Sequence, residues 1–362
     1  GVLMNTGGLA QKLIDFAKIL VGRIPGGLAH TNILGNTLFG SLSGSSVAAS
    51  VAIGGVLIPM EEKEGYDKKF AAAVNIASAP TGLIIPPSGI LIIYPVLAGC
   101  SVVGMIMSGY IPGLMWALAC MVVAYVIAKK NHYPTAGKVP ASVFFKYFVD
   151  AIPSLLLIVI IVGGVMSGIF TATESAAVAV AYTLFLSIVV YRSIKIKDLP
   201  KILLDACETT AVIMFLIAGS NVMSFVMSFT GLPSAIGNAL ISVSSNKYVI
   251  LLIINLVLLV VGCFMDITPA VLIFTPIFLP VVQSFGMDPI HFGIMMVMNL
   301  GIGNITPPVG SALFSGCSVA DMDMEDMIKP ILPFYAAIFV ALMLVAYVPW
   351  FSMALPTLFG AV

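Results

Sequence analysis

Long apolar runs with few interruptions dominate this chain, and their lengths say what they are. Residues 111–128, 152–170, 175–191, 248–264 and 331–348 each extend for 17 positions or more with hardly a polar side chain. Helices of that length cross about 30 Å of hydrocarbon, so these segments predict membrane spans. Elsewhere the apolar pattern is broken in two ways. Short polar clusters separate pairs of apolar arms: Ser41-Leu42-Ser43-Gly44-Ser45-Ser46 lies between 32–40 and 47–60, and Gly262 to Pro269, with Asp266 and Thr268, interrupts 248–282. Arms 32–40 and 47–60 are each too short to cross, which predicts a helical hairpin entering and leaving on one side. The second kind of break falls in mid-span, at Ser78 to Gly89 around Pro86-Pro87 and at Asn299 to Gly310 around Pro307-Pro308.

These breaks come in two copies. Residues 59–112 and 280–333 align at a shift of 221 without a gap. Nine of the 54 positions are identical, and seven of the nine are Gly or Pro: Pro59/Pro280, Gly65/Gly286, Gly82/Gly303, Pro86/Pro307, Pro87/Pro308, Gly89/Gly310 and Pro112/Pro333; Asp67/Asp288 and Ile84/Ile305 complete the set. Gly and Pro decide where helices stop and bend, so a shared register of breakers means one backbone plan used twice. Upstream, Thr6-Gly7-Gly8-Leu9 resembles Thr230-Gly231-Leu232, each followed by a mildly amphipathic segment, 11–20 and 234–243. The second copy is preceded by a helix, 202–219, with no counterpart in the first, which predicts at least one more helix before Gly1.

Basic residues orient the two copies. Lys129, Lys130, Lys138 and Lys146 crowd one loop, and Arg192, Lys195, Lys197 and Lys201 another. Both are cytoplasmic by the positive-inside rule, and the two spans between them keep the parity. The charged stretch 61–69 then falls inside and its counterpart 283–289, free of Lys and Arg, outside. The copies are inverted, the sequence pointer to a secondary transporter with its site near the bilayer midplane.

Composition agrees: 60% of the 362 residues are hydrophobic and only 9% charged, against about 25% charge in a soluble domain. Zero net charge offers no basic surface to nucleic acid. Cys100, Cys120, Cys207, Cys263 and Cys317 lack CxxC spacing and read as small buried apolar residues. His30, His132 and His291 form no HxxxH pair. No HExxH or GxSxG motif occurs, and Asp266 has no acidic partner for a dyad, so an intramembrane enzyme is the weakest alternative and an ion channel a stronger one.

The broken places hold the candidate chemistry. Consecutive prolines lack amide hydrogens and push the preceding residue out of helical geometry, leaving carbonyls without partners. In hydrocarbon such backbone survives only against protein or a polar cavity, and a bound cation is a natural partner. An unwound loop facing a hairpin tip makes a Na⁺ cage of neutral oxygens. Asp266, costly at bilayer depth, either orients the second tip by bonding backbone amides or contacts the ion; its counterpart Ser45 is neutral. Glu174, in Thr171-Ala172-Thr173-Glu174-Ser175, reads as a carboxylate favoured by a helix N-terminus. Ser43, Ser45, Ser46, Asn75, Ser78, Thr81, Ser88, Thr268, Asn299 and Asn304 are candidate substrate contacts. Gly40 and Gly44 form a GxxxG pair suited to close packing.

With these motifs, Gly40 to Ser46, Ile58-Pro59-Met60 with Gly65-Tyr66, Gly82 to Ser88, Gly262 to Asp266 with Pro269-Ala270, and Ile305 to Gly310, the whole chain resembles the large membrane subunit of tripartite ATP-independent periplasmic (TRAP) transporters, of the DctM and SiaM kind. The resemblance implies an all-α, multi-pass inner-membrane protein of elevator type, with two re-entrant hairpins and two discontinuous helices. It implies import of an organic acid, sialic acid or a C4-dicarboxylate, with about two or more sodium ions. The implied partners are a small four-helix membrane subunit, separate or fused, and a periplasmic substrate-binding protein. Carried over by position, one ion site involves Ser41 and the tip through Ser46 with Gly82, Ile85 and Pro87; the other involves Gly262 with Gly303, Thr306 and Val309, beside Asp266. The expected organisation is repeat one at 1–112 (hairpin 32–60, broken helix 71–97), spans 113–221 belonging largely to a static scaffold, repeat two at 222–350 (hairpin 248–282, broken helix 290–317), and a tail at 351–362. The nearest rival is a two-component divalent-anion/Na⁺ symporter that works without a binding protein.

Overall fold

The computed structural model of the chain describes residues 3, 9–135, 141–231, 235–236, 239 and 246–361. Among the described residues all regular structure is helical, and seven stretches are long and apolar enough to cross a membrane. Their outward faces are apolar: Leu118, Val122 and Val126 on one helix and Phe215, Phe225 and Phe229 on another stand exposed, as lipid-facing side chains do. The chain is an integral membrane protein. Lys138 and most of 234–243, together with Thr6-Gly7-Gly8, lie outside the described residues.

The first copy opens with helix α1 (Leu9–Val21), then the hairpin α2 (Gly27–Ser43) and α3 (Ser46–Lys63). The arms are longer than the apolar pattern implies. Gly27 to Thr31 extend α2 backwards, and within that stretch Thr31 Oγ1 donates to Gly27 O at 2.7 Å. At 17 and 18 residues the arms reach about 25–27 Å at 1.5 Å per residue, so shortness does not distinguish them from spans. The tip is made by Gly44, left-handed at φ 66°, whose N–H returns to Gly40 O, and by Ser45, which caps α3 by accepting from Ala48 N. The second hairpin joins α12 (Lys247–Phe264) to α13 (Ile267–Ser284) through Met265 and Asp266.

What the repeat conserves now has a local reason. Gly65 and Gly286 turn the chain at positive φ, 86° and 77°. Two residues later Asp67 and Asp288 cap the next helices, accepting from Lys69 N at 2.8 Å and Ile290 N at 2.7 Å. Those helices are the broken ones. In copy one α4 (Lys68–Ser78) is followed by a single turn, α5 (Thr81–Ile84), and then by non-helical backbone before α6 (Ile90–Ala98). In copy two α14 (Pro289–Asn304) breaks before α15 (Ser311–Val319). Both Pro-Pro pairs sit in the gaps and both are cis.

After the breaks come α7 (Val102–Ser108) and α8 (Tyr110–Lys130) in copy one, and α16 (Met324–Tyr347) with α17 (Trp350–Leu358) in copy two. Between the copies lie α9 (Ala141–Ile158), α10 (Ala172–Phe185) and the 32-residue α11 (Leu199–Thr230). Thr171 and Glu174 form a capping box at the start of α10, so Glu174 satisfies a helix end.

The copies interlock. Tyr94 on α6 donates its hydroxyl to Pro289 O at 2.6 Å, and its ring fills the space a Cβ on Gly293 would need. Trp116 on α8 is fully buried and donates Nε1–H to Ala77 O at 2.9 Å. Helix α8 packs against α2, α4, α5 and α16, whereas α9 packs on α1 and α11 on α13. The span 111–128 therefore sits with the broken helices rather than with α9 and α10.

Candidate functional site

The functional region grows from two places where backbone meets backbone. Gly40, one turn before the first tip, lies against Gly82 in the broken helix: a Cβ on Gly82 would fall 2.2 Å from Gly40 Cα. The second copy repeats the arrangement, a Cβ on Gly303 falling 2.5 Å from Gly262 Cα. Each hairpin tip is thus seated directly on the interrupted helix of its own copy. The close packing expected at Gly40 is against Gly82. Gly40 and Gly262 are 222 apart while the helix starts after the tips, Ser45 and Asp266, are 221 apart; one residue is lost within the second tip.

Around the first seat, Ile85 leaves the helix with extended backbone at ψ 127°. The Gly44 tip abuts Gly89, a Cβ on Gly44 lying 3.4 Å from Gly89 N. Ser88 is buried and its hydroxyl has no hydrogen-bond partner. An orphaned buried oxygen beside unwound backbone and a Ser-rich tip fits a site that a hard cation completes. Ser41 donates to Leu38 O at 2.9 Å and Ser43 to Gly40 O at 3.3 Å, leaving their oxygen lone pairs available.

Around the second seat, the tip carbonyl Cys263 O accepts from Val309 N at 3.2 Å and Gly310 N at 3.4 Å. Thr306 Oγ1 donates to Ile302 O at 2.6 Å, and the Tyr335 hydroxyl bonds Ile305 O. Asp266 starts α13 without a side-chain cap bond; it is exposed and its Oδ1 lies 3.2 Å from Ser311 Oγ. The alternative in which it bonds backbone amides is not met: its side chain makes no cap bond at the start of α13. Among the described residues no cluster of three His, Cys, Asp or Glu side chains occurs, and Asp266 is the one acidic residue of the two tips and the two Pro-Pro loops.

The two halves meet between the seats. Asn304, the last residue of α14, donates Nδ2–H to Ser46 Oγ at 3.0 Å, and its Oδ1 accepts from Ser311 Oγ at 2.5 Å and Ala312 N at 2.9 Å. Ser46, Asn304 and Ser88 are therefore gathered near the tips, with Ser45 and Thr268 at the starts of α3 and α13. Asn75, Ser78, Thr81 and Asn299 are placed differently. All four are fully buried and zip broken helices to hairpins. Asn36 Nδ2 lies 2.9 Å from Asn75 Oδ1 and 3.0 Å from Ser78 Oγ. Thr37 and Thr81 share a bond of 3.2 Å, and Asn299 Nδ2 donates to Asn255 Oδ1 at 2.7 Å. Asn36, Thr37, Asn255, Ser311 and Tyr335 escaped the sequence argument. Asn36 and Asn255 carry a legible signal, an Asn within an otherwise apolar arm.

Comparison with known proteins places this architecture. Residues 1–351 match the DctM component of the tripartite ATP-independent periplasmic transporter. The chain is 39% identical over 360 residues to the C4-dicarboxylate TRAP transporter large permease protein DctM of Pseudomonas aeruginosa, covering 99% of this chain and 84% of that protein. It is 39% identical over 359 residues to the sialic acid TRAP transporter large permease protein SiaM of Vibrio cholerae, with the same coverage. It is 36% identical over 349 residues to the 2,3-diketo-L-gulonate TRAP transporter large permease protein YiaN of Escherichia coli, covering 96% of this chain and 82% of that protein. Apolar spans, doubled interrupted helices and matched hairpin tips are accounted for together: the chain belongs to the DctM family of TRAP transporter large permeases, multi-pass inner-membrane transport proteins and not enzymes.

Proposed function

We propose that this chain conducts a small organic anion inward, driven by sodium, as the large subunit of a three-part system. Its partners are a small four-helix membrane subunit and a periplasmic substrate-binding protein. The observation that carries the reading is the doubled seating of a hairpin tip on an interrupted helix, Gly40 on Gly82 and Gly262 on Gly303. Two equivalent oxygen-rich sites suit two or more monovalent ions. Sodium is cargo here. Ser41, Gly82, Ile85 and Pro87 serve one site; Gly262, Gly303, Thr306 and Val309 serve the other, with Asp266 beside it.

The solute sits between the seats, where Asn304, Ser46 and Ser311 gather. No Lys or Arg stands in either tip or either Pro-Pro loop, so the anion is held by amides, hydroxyls and the sodium ions themselves. That arrangement makes anion binding depend on sodium, which is the coupling. Relatives named for a C4-dicarboxylate and for sialic acid are equally similar at 39%; the shared chemistry, a carboxylate, is the class proposed. The hairpins and broken helices, with α8 packed among them, move as one elevator body against α9 to α11. Membership of the family favours delivery by a binding protein over the two-component symporter.

The test is uptake into proteoliposomes holding this chain and its small subunit, with the cognate binding protein supplying radiolabelled sialic acid or succinate. Uptake requires an inward sodium gradient and the binding protein. Thr306→Ala removes one oxygen next to the second seat, and about 1 kcal/mol lost at that ion raises the sodium concentration for half-maximal uptake roughly five-fold. An unchanged sodium requirement counts against the site.

A further inference from the structure

One buried ionisable group takes no part in the sites above. Glu61 lies at the open end of the first hairpin, on the last turn of α3, and is fully buried although Glu62, Lys63 and Glu64 beside it are exposed. Neither carboxyl oxygen has a hydrogen-bond partner. The Asn32 amide on α2 approaches the carboxyl short of hydrogen-bond geometry, and its Nδ2 also lacks a partner. From Asn32 a polar file runs into the hairpin. Asn32 Oδ1 lies 2.9 Å from Asn36 Nδ2, Asn36 reaches Asn75 and Ser78, and Asn75 Nδ2 reaches Ser50 Oγ at 3.1 Å.

Among the described residues no ion pair reaches Glu61. The described ion pairs are Lys12 with Asp150 and Lys69 with Asp326. Packed elements bring other ionisable groups: His30 on α2, Lys68 and Lys69 on α4, Cys317 on α15, and Lys12, Asp15 and Lys18 on α1. Glu62, Lys63, Glu64, Tyr66 and Asp67 follow in the chain. Of these, Tyr66 is itself affected chiefly by burial, which with nearby acidic groups pushes its phenol up to about 12. A neutral carboxyl suits the pocket better, because full burial with neither oxygen bonded and no cation paired to it makes the charged form costly. Burial raises Glu61 well above the usual carboxylate range, the Asn32 amide opposing it.

We propose that Glu61 is a proton-exchange site: it holds a proton while the base of the first hairpin is packed and releases it to water when that base loosens, so closure of this hairpin depends on pH. The step is a simple ionisation, Glu61 carboxyl to carboxylate with the proton passing to solvent past exposed Glu62 and Glu64. The proposal stands apart from the identity of the solute and of the driving ion.

The test uses the full chain in lipid vesicles, with carboxyl protonation followed by infrared difference spectroscopy across pH. Wild type shows a protonated-carboxyl band that disappears with a midpoint above the ordinary carboxylate range. Glu61→Gln lacks the band, whereas Glu62→Gln and Glu64→Gln keep it. Asn32→Ala, which removes the one group favouring the charge, moves the midpoint higher; this variant serves also if Glu61→Gln fails to fold. A second readout is the melting temperature. The folded state binds the extra proton, so wild-type stability falls as pH rises from the ordinary carboxylate range through the raised midpoint, and Glu61→Gln abolishes that fall. A band persisting in Glu61→Gln, a wild type with no such band, or an Asn32→Ala midpoint at or below wild type overturns the proposal. Because no step needs solute or sodium, loss of uptake in the preceding experiment leaves these outcomes unaffected.

Discussion

A methyl group placed between each hairpin and its broken helix tests the seating directly. In Gly82→Ala the new Cβ meets Gly40 C and Cα at 2.2 Å; in Gly303→Ala it meets Gly262 C at 2.4 Å and Cα at 2.5 Å. Ordinary carbon contacts lie at about 3.5–4.0 Å, so the elements must part by roughly 1 Å. The obstructing atoms are backbone, and no side-chain rotation relieves them. Overpacking of this kind costs about 1–3 kcal/mol, a factor of roughly 5 to 150 in an equilibrium constant. If the seat builds the ion site, that loss appears as weaker sodium binding. The assay is the rise in melting temperature of the purified protein on adding sodium chloride, against potassium chloride at equal ionic strength. The control lies seven residues away: Gly89 has φ −60° and nothing within 4 Å of a built Cβ. Gly89→Ala should keep the full sodium-dependent rise, while Gly82→Ala and Gly303→Ala lose most of theirs. Equal behaviour of all three variants would refute the argument.

Two further substitutions separate ion ligation from packing. Ser88→Ala removes a buried hydroxyl without a partner; without sodium the variant should be as stable as wild type or up to about 1 kcal/mol more stable, and in sodium less stabilised. Melting curves in sodium and potassium distinguish this from a packing defect, which lowers both. Asn36→Leu strips the amide that links α2 to Asn75 and Ser78, leaving buried polar groups unpaired at about 1–3 kcal/mol. It should lower the melting temperature equally in both salts, and a sodium-selective effect would move Asn36 into the ion site.

The breaks were the most legible part of the architecture because Gly and Pro act through backbone geometry, which needs no knowledge of neighbours. Pro86-Pro87 and Pro307-Pro308 mark gaps in both helices, and Gly82 and Gly303 mark both seats. Hairpin arm lengths were less legible. The apolar pattern places the first arm at 32–40, yet Thr31 bonds back to its own helix and the helix begins at Gly27. Apolarity was also a poor guide to which helices pack together: the run 111–128 looks like its neighbours 152–170 and 175–191, but Trp116 reaches Ala77 O, a contact between residues 39 apart that no periodicity reveals. Asn75 and Asn299 looked like cavity residues for the same reason. An Asn at bilayer depth needs a partner, and whether that partner is a solute or another Asn is decided by tertiary packing.

On the proposed reading the duplication supplies the two seats, and the departures from it distinguish their faces. Two identical halves could seat two ions, yet they would offer a solute two equivalent faces. Here the faces differ. The first tip ends on Ser45, which caps its own helix through Ala48 N. The second, one residue shorter, ends on Asp266 with its side chain turned toward Ser311 instead. Asn304 has Leu83 as its counterpart at the 221-residue shift, so one copy contributes an amide where the other contributes an apolar side chain. That amide holds Ser46 across the molecule and gathers Ser311 at the same time. On the proposed reading, this bond from the second broken helix to the first hairpin would tie both ion seats to one solute position. Filling either seat would then stiffen the contact on which the other depends, which is how the proposed reading couples solute to sodium.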